Sequence, residues 1–195
     1  MNSTRFNPRT IILVALIIVF GLLRLSEVFN SDLHLSLSSM GALALFGGAY
    51  FTKKWKAIFF PIATLFIGDL ILSYTIHKTE NHGFLYTGWA WVYAAFALMA
   101  LVSKVLVKKV NILSVVAGVL ACVLIHWIVT DLGLWLEGHM YAKTFGGLMQ
   151  CLAAAIPFER PFLEGTLLYS AIMFGTFELL QSRYPALKVQ TLSIA

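Results

Sequence analysis

Long apolar runs, separated by short polar segments, make up most of the chain. A helix that crosses the hydrocarbon core of a bilayer needs about 20 apolar residues, because it rises about 1.5 Å per residue across about 30 Å. Six runs approach or reach that length: Thr10–Leu25, Leu37–Phe51, Ala57–Ile76, Tyr86–Ser103, Asn111–Leu136 and Phe162–Gln181. The pattern predicts an all-α, polytopic membrane bundle of six transmembrane helices in a single domain.

A seventh apolar piece, Phe145–Phe158, is too short to span a bilayer comfortably. It runs into Pro157-Phe158-Glu159-Arg160-Pro161, and two prolines so close together are expected to break a helix. Irregular backbone at membrane depth must be covered by protein or line a cavity. We therefore expect a short re-entrant or interfacial segment on the outer face, separate from the last helix.

Composition supports a membrane protein. The 195 residues are 59% hydrophobic and only 12% charged, whereas soluble domains average roughly 45–50% apolar and about 25% charged residues. A soluble fold of this size leaves too much surface exposed to hide so many apolar side chains. Secreted disulfide scaffolds, cytosolic enzyme domains and disordered chains are excluded, and Cys122 and Cys151 are interpreted as buried thiols.

Basic residues predict the orientation. The net charge of +5 comes from short clusters between the apolar runs, a topology signal rather than a nucleic-acid-binding stripe. With both termini in the cytoplasm, ten Lys and Arg residues fall on the inner side and only Arg24, Lys78, Lys143 and Arg160 on the outer side. We expect a multi-pass protein of the bacterial cytoplasmic (inner) membrane.

Three polar side chains fall at one depth in the outer half of the bilayer. Counted from the inner ends of their helices, Asp69, Arg24 and His126 lie roughly 20–22 Å up. Ionisable residues inside a membrane are costly and are candidates for function. Further polar and aromatic residues lie at or near this layer: Trp89, Trp91, Asp131, Trp135, Tyr141 and Glu164. Together they predict a substrate pocket that opens to the outside.

Each candidate also has a structural interpretation. Asp69 is equally suited to pairing with a neighbouring helix, Arg24 to reaching the membrane surface, and His126 to bonding a backbone carbonyl. The tryptophans fit an aromatic belt at the membrane interface. In the second run, small residues at Ala44 and Gly48 favour either close internal packing or contact with a partner subunit.

Motifs of catalysis and metal binding are missing from the sequence. It has no G-x-S-x-G, H-E-x-x-H, P-loop or C-x-x-C motif, and His126 has no second histidine at its depth. We expect neither an enzyme nor a cofactor or metal site.

Several segments resemble a family of bacterial six-helix membrane proteins of unknown function. The matching stretches are Met40–Phe51, Pro61–Leu72, Thr130–Leu136, Met140–Thr144, Ala155–Phe158 and Leu167–Ala171. The overall plan is also similar to the substrate-binding S components of energy-coupling-factor vitamin transporters. That second resemblance implies a pocket near the outer face, and a complex with a membrane coupling subunit and ATPases.

The sequence therefore predicts a membrane-embedded binding or uptake component for a small, vitamin-like solute. Asp69, Arg24 and His126 are expected to bond its polar groups, and Trp89, Trp91 and Trp135 to pack against a ring. The alternative is a non-transporting structural or assembly subunit of a membrane complex, which would bind its partner through the small-residue face of the second helix.

Overall fold

A computed structural model describes residues 7–29, 37–75 and 85–188, with the side chains of the first segment described as far as Leu23. These residues form six α-helices, a short 3-10 turn and no strands. The helices are α1 Pro8–Phe29, α2 Met40–Tyr50, α3 Lys54–Thr75, α4 Trp89–Leu106, α5 Ile112–Glu137 and α6 Phe145–Arg183; the 3-10 turn is Pro185–Leu187. The predicted all-α, six-helix architecture is confirmed.

Three of these helices are long and apolar enough to cross a membrane: α3, α4 and α5. Their limits differ from the predicted spans by no more than three residues at either end. Asn111 begins α5 with a capping box, since its side chain accepts from the Ser114 amide at 2.8 Å and its own amide donates to the Ser114 hydroxyl. The helical content is thus compatible with a membrane protein.

The α2 helix is short and lies at the centre of the bundle. It has only 11 residues, about half the length needed to cross a bilayer, so the span expected over Leu37–Phe51 is wrong in length. Ten of the 11 residues are buried. A Cβ atom on Gly48 would come within 2.3 Å of the Ala100 carbonyl oxygen, and one on Gly47 within 2.7 Å of Pro61. Small residues in α2 therefore serve internal packing.

The helix break expected at Pro157–Pro161 is absent. Instead, α6 continues through both prolines for 39 residues, about 58 Å, so the segment Phe145–Phe158 and the final run form one helix. Neighbouring side chains can bond carbonyl groups near a proline inside a membrane helix. Such a contact exists here: the Trp127 indole donates to the Leu152 carbonyl at 2.9 Å, in the turn before Pro157.

The chain connects α5 to α6 through a turn held by side chains. The Lys143 ammonium donates to the carbonyl groups of Trp135, Leu136 and Gly138, which end α5. The Trp135 indole donates to the Ala142 carbonyl at 2.8 Å. These bonds satisfy carbonyl groups that a helix C-terminus leaves unpaired, and they fix α5 and α6 as antiparallel neighbours.

Arg9 ties the opposite end of the bundle together. Its guanidinium donates to the Gln181 side chain at 2.8 Å, to the Leu187 carbonyl at 2.5 Å and to the Tyr50 carbonyl at 3.3 Å. The Tyr50 hydroxyl in turn donates to Glu178. The start of α1, the end of α2 and the end of α6 are thus joined by one cluster, named the Arg9 cluster below.

Candidate functional site

A His–Glu pair joins α5 to α6 inside the bundle. Nδ1 of His126 lies 2.8 Å from Oε1 of Glu159, and the side chains are 21% and 13% exposed. With Nδ1 protonated, the ring donates to the carboxylate. The Phe162 ring stacks on the imidazole with centroids 4.2 Å apart and an interplanar angle of 18°. Phe96 of α4 meets the same imidazole edge-on at 6.1 Å.

The second oxygen of Glu159 has no hydrogen-bond partner among the described residues, although it is buried. Asp131 is also buried, and its carboxylate interacts electrostatically with both Glu159 and His126. Within the described segments, no Lys or Arg forms an ion pair with either carboxylate. A buried carboxylate is expensive unless it is paired and fully hydrogen-bonded. This His126–Glu159–Asp131 group, the polar centre, is therefore short of donors.

Asp69 lies in a second polar pair close to the polar centre. It is 2% exposed in α3, and the Tyr93 hydroxyl of α4 donates to its Oδ2 at 2.9 Å. Tyr93 precedes Phe96, the residue that touches His126, by less than one helical turn. Asp69 and His126 thus each contact a side chain of the same turn of α4. The side chain of Arg24 lies outside the described residues.

The tryptophans predicted to pack against the solute make other contacts in the structure. Trp91 packs over Gly133, where a Cβ would come within 2.2 Å of the ring, and its indole donates to Glu137 at 2.7 Å. Trp135 bonds within the α5–α6 turn, where Tyr141 also lies, partly buried. Trp89 is half-exposed and meets Tyr93 edge-on at 5.6 Å. Of the three tryptophans, Trp89 alone contacts a residue of the polar pairs.

Glu164 lies away from the polar centre, on an exposed face of α6. It is 49% exposed and forms an ion pair with Arg160, which is 81% exposed, at 2.8 Å. The acidic residue of α6 that faces His126 is Glu159, five residues earlier. Glu159 was not among the predicted site residues, because the surrounding prolines suggested a break in the helix. One available signal was the spacing of Glu159 and Phe162, which share a helix face once α6 is continuous.

A cavity of about 420 Å³ opens between the first half of α5 and the second half of α6. Its walls are mainly aliphatic and aromatic, with Asn111, Ser170 and Glu178 as the polar exceptions. The cavity contains none of the residues predicted to bind substrate. It lies toward the end of the bundle that holds the Arg9 cluster, on the far side of Phe162 from Glu159.

The possible metal ligands among the described residues do not form a metal centre. Across residues 7–29, 37–75 and 85–188, no group of three or more His, Cys, Asp and Glu side chains is arranged to hold a metal ion. The polar centre is instead suited to hydrogen bonding, with one free acceptor oxygen on Glu159 and a second carboxylate on Asp131.

Comparison with known proteins places the chain in a family. It belongs to a family of unknown function, DUF6580, whose profile matches residues 4–187. The resemblance noted from the sequence motifs to a family of unknown function is thereby confirmed. No curated protein and no solved structure matches the chain. The likeness to S components of vitamin transporters stays a prediction.

Proposed function

We propose that this chain is a membrane-embedded component that binds a small polar solute for uptake, and that the polar centre is its binding site. The buried, unpartnered Oε2 of Glu159 carries this proposal. Leaving a buried acceptor unpaired costs roughly 1–3 kcal/mol, and more when the group is charged. Such a cost is typical of a site that a ligand completes, and intramembrane ionisable residues are functional candidates by default.

The chemistry of the polar centre favours a solute that carries hydrogen-bond donors. Glu159 and Asp131 are both acceptors when ionised, and Nδ1 of His126 already lies within hydrogen-bond distance of one oxygen of Glu159. An N–H or O–H group of the solute would therefore donate a hydrogen bond to the free oxygen of Glu159. The Asp69–Tyr93 pair, bound to the same turn of α4, offers further polar contacts. These groups suit a water-soluble, vitamin-like molecule.

The proposal also covers the membrane in which the protein lies and the source of energy for uptake. The excess of basic residues on one side favours a bacterial inner-membrane protein with both termini in the cytoplasm. The sequence contains no P-loop. Uphill uptake would then draw on partners, a membrane coupling subunit with ATPases, as the similarity to S components implies.

Native mass spectrometry of the protein, released gently from its own membranes, tests the binding site. We expect a retained small-molecule mass on the wild-type chain and its loss on Glu159→Gln, which keeps the bond to His126 but removes the charge. Glu164→Gln is the matched control, because it neutralises an exposed carboxylate on the same helix. Equal retention by Glu159→Gln and the wild type would contradict the proposal.

A second candidate function, an assembly subunit, is favoured by a different surface from the one predicted. Ala44 and Gly48 are buried in the bundle, so they offer no face to a partner. The α5–α6 cavity instead exposes Ala171 and Gly175, four residues apart, and a Cβ on Gly175 would meet nothing within 4 Å. Small residues at this spacing let membrane helices approach closely. Copurification of a membrane protein that Gly175→Leu releases would favour this function.

A further inference from the structure

Three buried side-chain oxygens in the described part of the chain have no hydrogen-bond partner, and all three belong to α6. They are Glu159 Oε2, Thr166 Oγ1 and Ser170 Oγ. Intervals of seven and four residues place them on one helix face, about 10 Å and about 6 Å apart along the axis. We call these three residues the α6 polar row. Their alignment on one face of one helix calls for a common explanation.

The two hydroxyl groups of the row behave unlike others in this bundle. Helical Ser and Thr residues commonly donate to the carbonyl four residues earlier. Thr64, Thr75, Ser103 and Thr130 all do so, at 2.6–2.9 Å. Thr166 and Ser170 make no such bond in the described structure, although they are 0% and 1% exposed. Their hydroxyl groups thus remain available to water or to a passing polar group.

The row connects two features already described. At one end, Glu159 belongs to the polar centre. At the other end, Ser170 lines the cavity between α5 and α6. The cavity is large enough to hold several water molecules, since each needs roughly 30 Å³. Thr166 lies between them, against Gly41 of α2, where a Cβ would come within 2.2 Å of its hydroxyl oxygen. The Thr166 hydroxyl therefore occupies the place that a side chain at position 41 would fill.

Phe162 interrupts the row. It lies about one helical turn from both Glu159 and Thr166, is 7% exposed and stacks on His126. Its ring also reaches the place beside Gly41, where a Cβ would come within 2.9 Å of Cζ. Apolar constrictions close water-filled pathways in membrane proteins by excluding water. Phe162 has the position and chemistry of such a constriction.

We infer that the α6 polar row is a hydrated route from the polar centre to the α5–α6 cavity, and that Phe162 is its closed gate. This inference rests on the proposed function, because it supplies the path by which a bound solute leaves toward the predicted cytoplasmic side. Water fills the route when the Phe162 ring moves away, and the hydroxyl groups of Thr166 and Ser170 bond the polar groups that pass.

Thiol accessibility tests the route without knowledge of the solute. Ser170→Cys and Thr166→Cys are made singly in the full-length protein in proteoliposomes, with and without Phe162→Ala. Each is treated with methanethiosulfonate ethylsulfonate, a small charged reagent that attacks the thiolate form and so reports contact with water. Peptide mass spectrometry reads every thiol separately. The native Cys122, which is fully buried on α5 and off the row, serves as the internal control.

We expect the cysteine at 170 to react in both backgrounds, and the cysteine at 166 to react about tenfold faster when Phe162 is Ala, because the gate no longer limits local opening. Phe177→Ala is the matched control. It removes another buried ring from α6, about 16 Å farther along the helix than Thr166, and should leave the rate at 166 unchanged.

Three results would overturn the route. A cysteine at 170 as protected as Cys122 would mean that lipid, not water, fills the cavity. An unchanged rate at 166 in Phe162→Ala would exclude Phe162 as the gate, and equal acceleration by Phe177→Ala would indicate general loosening. Solute retention is measured on the same variants. Retention with no reaction at 166 rejects the route alone, whereas gated reaction with no retained solute rejects only the proposed solute binding.

Discussion

Glu159 and Glu178 lie on the same helix, about five turns apart, in opposite chemical situations. Glu178 accepts from the Tyr50 hydroxyl at 2.5 Å and from the Gln181 side chain at 3.1 Å, beside the Arg9 guanidinium. Glu159 has one described partner, His126, and one buried oxygen with none. The Glu178 carboxylate helps to hold helices together, whereas the Glu159 carboxylate keeps one oxygen free for a ligand.

The contrast shows what distinguishes a structural polar cluster from a functional candidate inside an apolar bundle. Both clusters join helices that are distant in the sequence. In the Arg9 cluster, charge and donors balance the acceptors, so the bonds stabilise the fold. In the polar centre, the Glu159 carboxylate contacts one imidazole, the Asp131 carboxylate interacts electrostatically with both, and one oxygen of Glu159 has no described donor, so a ligand or a proton must complete the balance. Substitutions in the Arg9 cluster should therefore lower stability and leave solute binding intact, whereas substitutions in the polar centre should reduce solute binding.

Arg9→Ala should have the largest effect on stability. It removes the guanidinium that bonds Gln181, Leu187 and the Tyr50 carbonyl, so α1 loses its polar tie to the ends of α2 and α6. We expect a loss of about 2 kcal/mol, because hydrogen bonds to charged groups contribute roughly 1.5–3 kcal/mol and this group is partly exposed. The midpoint of thermal unfolding in detergent would report it.

Arg183→Ala provides the control for that experiment. It removes the same residue type from the same end of the bundle, but from an exposed position on α6. Its unfolding midpoint should match that of the wild type. Arg9→Ala should also keep the solute mass seen by native mass spectrometry. Loss of the solute with no change in stability would reverse the roles assigned to the two clusters.

Glu159→Gln should have a smaller effect on stability, and of the opposite sign. The amide oxygen of Gln still accepts from His126, while the charge that lacks a cation is gone, so the solute-free protein should gain about 1 kcal/mol. The unfolding midpoint of solute-free protein is the measurement. A loss of stability as large as that of Arg9→Ala would mean that the ionised pair stabilises the fold.

Much of the helical framework was predictable from the sequence. Apolar runs of sufficient length, such as Asn111–Leu136, mark α3, α4 and α5 closely because a membrane helix needs that length and satisfies its own backbone. The length of α2 was not predictable in the same way. Its residues are buried against other helices. Small and apolar residue types occur both where a membrane helix faces lipid and where it faces protein, so they do not reveal that α2 is a short internal helix.

The polar centre and the Asp69–Tyr93 pair were predictable only in part. Depth along each helix identified His126 and Asp69, because rise per residue is constant. Their partners Glu159 and Tyr93 depend on which helix faces are in contact, which one sequence does not show. The prolines at 157 and 161 concealed Glu159 further, since they predict a break that the α5–α6 packing prevents.

The smallest effect is expected on the exposed face of α6. Arg160→Gln breaks the ion pair with Glu164, and it changes the residue next to Glu159 without touching the polar centre. Exposed ion pairs four residues apart add little to stability. Both the unfolding midpoint and solute retention should equal those of the wild type. If Arg160→Gln abolished retention while Glu159→Gln did not, the binding site would lie on the Arg160–Glu164 face, as the predicted position of Glu164 at the polar layer implies.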